Sequence, residues 1–215
     1  MSNKPVLLLL LALVIGFYFY HQFANPYRKF SSANYWKSAT LAQVAEIPEE
    51  ALEPGNKHGS VLMFAAGFVD DPEILRALIK RGSSISEQDS LYGTPLSSAA
   101  TLNGEPRIID FLVDAGADVN RKLFGNATPL MNAAQYNANP EVIRQLIRHG
   151  ADIHAKDDTG ATALVYAVRH NTVAEITRAL IEAGANKEVV LKSGDSLSEI
   201  ARENDNAEIR NLLGK

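Results

Sequence analysis

The chain has 215 residues, of which 46% are hydrophobic and 21% are charged, a balance typical of a folded protein. Its formal net charge is −4, and the residues after 47 alone carry −7. A domain this acidic argues against nucleic acid as a partner, because phosphates attract clustered lysine and arginine. The chain has no cysteine, which excludes disulfide bonds and thiolate chemistry.

The N-terminal segment is one apolar run. Lys4 precedes fifteen uncharged residues, Val6–Tyr20, and counting on to Ala24 gives 19, about the length that crosses a bilayer. Aromatic residues at its end suit a membrane interface, and no small-residue cleavage triplet follows closely. We therefore predict that residues 1–24 form a hydrophobic helix that is an uncleaved signal anchor. A cleaved signal peptide is the alternative.

The orientation of this anchor depends on two opposing signals. Lys4 lies on one side of the run and Arg28, Lys29 and Lys37 lie on the other, which favours repeats in the cytoplasm. A short tail before a leucine-rich run is typical of an export signal and favours repeats outside the cytoplasm. We predict a membrane contact through residues 5–24, with the rest of the chain on the periplasmic side of a bacterial envelope. A cytoplasmic orientation stays open.

Residues 25–59 are predicted to link the anchor to the repeats. Residues 25–30 form a tether, and Ser31–Val44 has the pattern of a capping helix, with Trp36, Ala39 and Ala42 on one face. A large aromatic residue beside an open repeat end is expected to be buried. The proline-containing, acidic stretch Glu46–His58 is predicted to be a surface loop.

A repeat occupies the remainder of the chain. Its best-formed copy is Thr128–Ile153, and three landmarks recur at a period of 34 residues. The hydroxyl residues are Ser60, Thr94, Thr128, Thr162 and Ser196; the small pairs are Ala65-Ala66, Ala99-Ala100, Ala133-Ala134 and Ala167-Val168; the glycines are Gly82, Gly116, Gly150 and Gly184. Five units are therefore predicted, starting near residues 60, 94, 128, 162 and 196.

Each unit is predicted to fold as helix, turn, helix and hairpin loop. Thr128-Pro129 is a helix start, because a hydroxyl caps the helix and proline suits its first position. Asn139-Pro140 starts a second helix, which has apolar residues at helical spacing. Gly150 lies where a left-handed C-cap is expected. The last unit, Ser196–Leu213, is shorter and more polar, as a terminal cap should be.

These motifs resemble the ankyrin repeat family. Thr94-Pro95-Leu96 and Thr128-Pro129-Leu130 match the opening tripeptide of the family, and Gly116–Asn120 matches its closing run. The resemblance covers residues 60–215 and implies an all-α solenoid of stacked helix-turn-helix units with hairpin loops. Two features depart from the family. The period exceeds the usual 33 or so residues, and the histidine after the opening tripeptide is replaced by Met63, Ser97, Met131 and Val165.

Motifs for catalysis are absent from the sequence. The chain has five histidines but no His-Glu-x-x-His, no Gly-x-Ser-x-Gly and no phosphate-binding loop. The run from Asp157 to Gly160 resembles the hairpin of the family between repeats and lacks the terminal glutamate of a calcium loop. The glycosylation sequon at Asn126 uses a threonine that starts a helix. We predict no catalytic, cofactor or metal site. An enzyme with a degenerate site is the remaining alternative.

The binding surface is predicted from a column of bulky residues. Phe68, Leu102, Tyr136 and His170 follow the small pairs at steps of 34 residues, and in the family this position resembles one that faces the concave groove. Leu91, Tyr92 and Phe124 would extend the patch along the hairpins, and Arg169 would add a polar contact. The alternative is that this column packs between repeats.

The resemblance implies a protein partner. The acidic charge of the repeats argues against nucleic acid, and we expect the chain to be a monomer or to form a 1:1 complex with its partner. The sequence thus predicts a membrane-tethered, non-catalytic interaction module that uses its concave groove. An immunity or antidote protein that occludes a toxic effector enzyme is the alternative.

Overall fold

The computed structural model describes residues 28–53, 60–88 and 93–214. Within these ranges the regular structure is helical, and an isolated bridge pairs Val190 with Ser196. The all-α prediction is therefore confirmed. The anchor predicted for residues 1–24 lies outside the described residues. In the part of the chain that is described, no helix is long and apolar enough to cross a membrane.

A capping segment precedes the repeats. It consists of a 3-10 turn, Arg28–Ser31, and three short helices: α1 (Ala33–Lys37), α2 (Leu41–Ala45) and α3 (Glu49–Leu52). Trp36 is buried, as predicted, and its indole N–H donates a hydrogen bond of 2.7 Å to the carbonyl of Phe30. Helix α1 packs on the first helix of the first repeat, so this segment covers the open end of the core.

The single helix predicted over Ser31–Val44 is wrong, since two helices occupy this stretch. The break lies at Thr40, whose side chain accepts from the backbone N–H of Gln43 while the Gln43 side chain accepts from the N–H of Thr40. This capping box starts a new helix where the apolar spacing alone predicted a continuous one. As a result, Ala42 is exposed and does not share a buried face with Trp36.

The surface loop predicted over Glu46–His58 is also wrong in its first half. Helix α3 forms there, and Ile47, Ala51 and Leu52 are buried against the repeats. Glu49 and Glu50 of α3 stay exposed, while Ala51 and Leu52, which follow them, are buried. The guanidinium of Arg81, beyond the first repeat's second helix, donates to the carbonyls of Val44 and Ile47 and ties this segment to the stack.

Five helix pairs then follow, each with a first and a second helix. The first helices are α4 (Val61–Phe68), α6 (Pro95–Leu102), α8 (Pro129–Tyr136), α10 (Ala163–His170) and α12 (Leu197–Arg202). The second helices are α5 (Pro72–Lys80), α7 (Pro106–Asp114), α9 (Pro140–Arg148), α11 (Ala174–Glu182) and α13 (Ala207–Leu213).

The predicted helix starts are confirmed, with one local exception. The hydroxyls of Ser60, Thr94, Thr128 and Ser196 each accept from a backbone N–H in the first turn of their helix. Thr162 also precedes its helix, but its side chain makes no cap bond and is buried without a partner among the described residues. Asn139 caps α9 by accepting from the N–H of Glu141 at 2.9 Å.

The core is continuous along the stack. Two columns on the second helices are buried, with Ile74, Ile108, Val142 and Ile176 in one and Leu78, Leu112, Leu146 and Leu180 in the other. The second helices of the first four repeats each end before a glycine of positive φ, with values of 110°, 101°, 86° and 95° at Gly82, Gly116, Gly150 and Gly184. Only glycine adopts this conformation without strain, so these residues end the helices and release the chain into the hairpins.

The two helix layers of the stack pack differently. The paired small residues of the first helices are fully buried, and successive first helices pack together more extensively than successive second helices do. Small side chains allow this close approach. We call the side of the stack that is formed by the first helices and the hairpins the groove side.

Candidate functional site: the groove side of the stack

The first helices leave one face uncovered on the groove side. On this face Leu102 and Tyr136 expose 53% and 62% of their surface, and Arg169 and His170 are exposed at the end of α10. Phe68 is half-buried and packs against the core. Leu102, Tyr136 and His170 of the predicted column thus have exposed surface, whereas its first member, Phe68, packs against the core.

Leu102 owes its position to a glycine in the preceding repeat. A side chain at Gly67 would meet the Leu102 Cδ1 at 3.2 Å and the Ser98 hydroxyl at 3.0 Å. The absence of a side chain at Gly67 therefore lets α6 approach α4, with Leu102 lying over the gap. One side of Leu102 is packed and the other remains available to a partner.

Tyr166 is a functional candidate that the sequence analysis missed. Its ring lies 6.2 Å from that of His170, and its hydroxyl donates a hydrogen bond of 2.8 Å to the Asp157 carboxylate. The pKa of Tyr166 is raised to about 12, mainly by burial and next by this bond to Asp157. The charge of Arg169 lowers this pKa, and Tyr136 raises it further. Tyr136, Arg169 and His170 therefore gather around Tyr166.

The carboxylate of Asp157 organises the hairpin beneath this cluster. Its Oδ1 accepts from the N–H groups of Thr159 and Ala161, both at 2.8 Å, and from the Thr159 hydroxyl at 2.7 Å. Burial raises the pKa of Asp157, but the hydrogen bonds from Thr159, Tyr166 and Ala161 outweigh it and leave the pKa lowered. The run 157–160 is thus a tight turn between repeats, as predicted.

His170 is held toward its neutral form. Burial against its neighbours, followed by the positive charge of Arg169, lowers the pKa of His170. A neutral imidazole loses less hydration on contact with a partner than a charged one does. At neutral pH the permanent charge at this end of α10 is therefore that of Arg169.

Phe124 lies at the tip of the preceding hairpin and is 91% exposed. The next two residues, Gly125 and Asn126, have φ values of 70° and 60°, so the chain reverses sharply there. The tip is tied to the next hairpin, because the Asp158 N–H donates to the Gly125 carbonyl at 2.9 Å and the Asn126 amide donates to the Asp158 carboxylate at 2.6 Å. The other predicted hairpin residues, Leu91 and Tyr92, lie outside the described residues.

A metal centre is not formed by the residues that the structure describes, since they contain no group of three or more histidine, cysteine, aspartate or glutamate side chains able to hold an ion. The exposed side chains of the first helices on the groove side include the apolar Leu102, the aromatic Tyr136 and the guanidinium of Arg169. These groups are suited to contact with another protein, in which aromatic residues and arginine commonly anchor the interface.

Comparison with known proteins agrees with this geometry. A family model described as ankyrin repeats matches residues 62–157, 96–193 and 130–214, which together cover more than half of the chain. The chain belongs to the ankyrin repeat family. A search of curated proteins finds no match.

The ankyrin stack also contains an asparagine ladder that the sequence analysis missed. Asn103, Asn137 and Asn171 are buried at the ends of the first helices, 34 residues apart. Each side-chain amide donates to two backbone carbonyls of the preceding repeat, at 2.7–3.0 Å. Each side-chain oxygen accepts from the N–H two residues ahead. The ladder fixes the spacing of the first helices and hence the geometry of the groove side.

Proposed function

We propose that this chain is a non-catalytic, membrane-tethered module that binds a protein partner through the concave groove of its ankyrin stack. One observation carries the proposal. Of the five large hydrophobic residues that are exposed in the described chain, four lie on first helices or hairpins: Leu102, Tyr136, Phe124 and Val190. The fifth, Leu41, is in the capping segment.

The size of the surface supports a protein as the partner. Helices pack about 8–10 Å apart, so the three exposed members of the column, Leu102, Tyr136 and His170, extend over roughly 16–20 Å. Exposed apolar and aromatic side chains in such a row are typical of a surface that is covered by another molecule. Ankyrin repeats are protein–protein interaction modules, so the family agrees with this function.

The tether is proposed from the sequence. The apolar run Val6–Tyr20 is preceded by Lys4 and has the composition of a signal anchor. We propose that it holds the stack at the periplasmic face of a bacterial membrane. A reporter enzyme that is active only outside the cytoplasm, fused after Lys215, is expected to be active. Activity of a cytoplasmic reporter at the same position would show instead that the repeats face the cytoplasm.

The binding function is tested by pairing Tyr136→Ala with Leu102→Ser in the full chain. Partner capture from the envelope fraction is expected to fall roughly tenfold or more, the size of effect seen when interface anchors are truncated. The melting temperature is expected to change little, because both side chains are mostly exposed. Leu41→Ser is the matched control, since Leu41 and Leu102 are each 53% exposed. Its capture should equal that of the wild type.

Two results would contradict the proposal. If the double variant captures its partner as well as Leu41→Ser does, the groove side is not the binding surface. If its melting temperature falls steeply, the column belongs to the core and its exposure has no binding role.

A further inference from the structure

The positive charges of this acidic domain are divided between its two sides. On the second helices, five arginines each pair with a glutamate, at 3.8 Å or less. The pairs are Arg76–Glu73, Arg107–Glu105, Arg144–Glu141, Arg148–Glu141 and Arg178–Glu175, with Glu208 a second partner of Arg178. These five guanidinium groups on the second helices are therefore neutralised by glutamates of the same chain.

The groove side has cations of a different kind. Lys122, Lys156 and Lys192 are exposed on three successive hairpins, and Arg169 is exposed at the end of α10. Within the described ranges none of the four forms an ion pair. Lys122 and Lys156 hold equivalent positions 34 residues apart, so they form a row beside the groove.

Three carboxylates on these hairpins accept hydrogen bonds from other groups of the chain. Asp157 accepts four hydrogen bonds, Asp158 accepts from the Asn126 amide, and Asp195 accepts from the Ser193 hydroxyl at 2.7 Å. Each hairpin therefore uses its acid to shape its own turn or tie itself to the next, and leaves its lysine directed to solvent.

Taking the groove as the binding surface proposed above, we infer that its partner is a protein segment rich in aspartate or glutamate around one or more large apolar side chains. The apolar groups would contact Leu102 and Tyr136, and the carboxylates would meet Lys122, Lys156 and Arg169. Arg169 lies beside the Tyr166 cluster, where contact with a partner excludes water and strengthens a charge-assisted hydrogen bond.

Charge complementarity explains why such a partner is selected over others. The repeat domain is negative overall, so a basic segment would be attracted to most of its surface without preference. An acidic segment is repelled except near the groove cations, since screening confines each charge to about 8–10 Å at physiological salt. The arrangement thus directs an acidic segment to one site, as complementary potentials do in known interfaces.

The test is a selection from a random peptide library against the full chain. Peptides of about 12 residues are long enough, because an extended strand advances about 3.3 Å per residue and covers the groove. The enriched peptides are expected to be acidic and to contain leucine or aromatic residues. Enrichment of basic or uncharged peptides would overturn the inference.

Variants of the chain locate the interaction. For a selected acidic peptide, Lys156→Glu combined with Arg169→Glu is expected to weaken binding about tenfold or more, as reversal of interface charges does. Lys80→Glu combined with Lys37→Glu is the matched control, because it changes the net charge equally at two exposed lysines, one on a second helix and one in the capping segment. It should bind as the wild type does. Equal weakening by both variants would mean that only net charge matters, which contradicts a site at the groove.

The same peptide separates this inference from the proposed function. Suppose that Tyr136→Ala loses binding and the Lys156→Glu, Arg169→Glu variant does not. The groove would then still be the binding surface, but its preference for acidic partners would be wrong. Full binding in Tyr136→Ala and Leu102→Ser together would place the peptide elsewhere and reject the groove itself.

Discussion

At the scale of single residues, the asparagine ladder joins neighbouring repeats through hydrogen bonds. Asn137 lies at its centre and makes three hydrogen bonds, two as donor to the carbonyls of Ala100 and Asn103 at 2.9 Å and one as acceptor from the Asn139 N–H at 2.8 Å. Removing the side chain would leave buried backbone groups without partners, which costs more than the net value of the bonds.

Asn137→Ala is therefore expected to lower the free energy of unfolding by about 2–4 kcal/mol. Urea denaturation measures it. Asn137→Asp should be at least as damaging at neutral pH, since it would direct a carboxylate at two carbonyl oxygens. Asn132→Ala, on the half-buried groove face of the same helix, is the control and should change stability little. A loss below about 1 kcal/mol at Asn137, the ordinary surface range, would mean that the ladder does not fasten the repeats.

Asp157 makes the stability depend on pH. Its pKa is lowered in the folded state, so its contribution is present above the unfolded value of about 3.9 and is lost as the pH falls through the folded value. Asp157→Asn is expected to destabilise the chain by roughly 1–3 kcal/mol at pH 7, because bonds to a charged acceptor are replaced.

At pH 3 that difference should be smaller, since the Asp157 carboxyl of the unfolded chain is then largely protonated and the lowered pKa contributes less to stability. Melting temperatures of both proteins at the two pH values measure the effect. Asp70→Asn, at an exposed position, controls for the loss of a negative charge. A difference that stays constant between pH 7 and pH 3 would show that the charge of Asp157 is not what supports the hairpin.

At the scale of helices, the repeats could be predicted because each landmark has a local cause. A hydroxyl before a helix and a glycine after one act through nearby backbone groups, so their spacing alone marks Thr128 and Gly150. The capping segment was harder to predict. Apolar spacing near Trp36 is compatible with one helix or two. The capping box of Thr40 and Gln43 decides between them, and it is a polar signal that apolar spacing does not contain.

The same contrast applies to the binding surface. The column through Leu102 and Tyr136 could be found from its period, and the structure confirms that both side chains are exposed. Tyr166 was missed because its partner, Asp157, was interpreted only as part of a hairpin, and their hydrogen bond depends on the fold of that turn. The ladder carried a usable signal, since Asn103, Asn137 and Asn171 repeat at the period of the other landmarks.

At the scale of the whole molecule, stability is expected to pass from repeat to repeat. Leu146 is fully buried in α9, between Leu112 and Leu180 of the neighbouring repeats. Leu146→Ala should lower the free energy of unfolding by roughly 2–5 kcal/mol. Because each repeat contacts only its neighbours, weakening a central unit should also divide the unfolding transition into two steps.

Calorimetry of the variant measures both effects. Ile147→Ala changes the adjacent, half-buried position and should cost less and keep a single transition. A loss below about 1 kcal/mol at Leu146 would mean that this face of α9 does not carry the core. If the two variants lose the same unfolding free energy and show the same number of transitions, the repeats are not coupled through the leucine column.

The central claim is that a partner covers the groove side and leaves the second helices free. The chain contains no cysteine, so a single introduced thiol reports its own position. Gln135→Cys lies beside Tyr136 on the groove face, and Lys80→Cys lies on a second helix. The measurement is the rate of thiol labelling with and without the captured partner.

At saturating partner, labelling of Gln135→Cys is expected to slow by about tenfold or more, because the centre of an interface excludes solvent. Labelling of Lys80→Cys is expected to stay the same. Protection of Lys80→Cys with no protection of Gln135→Cys would contradict the account, since it would place the partner on the second helices.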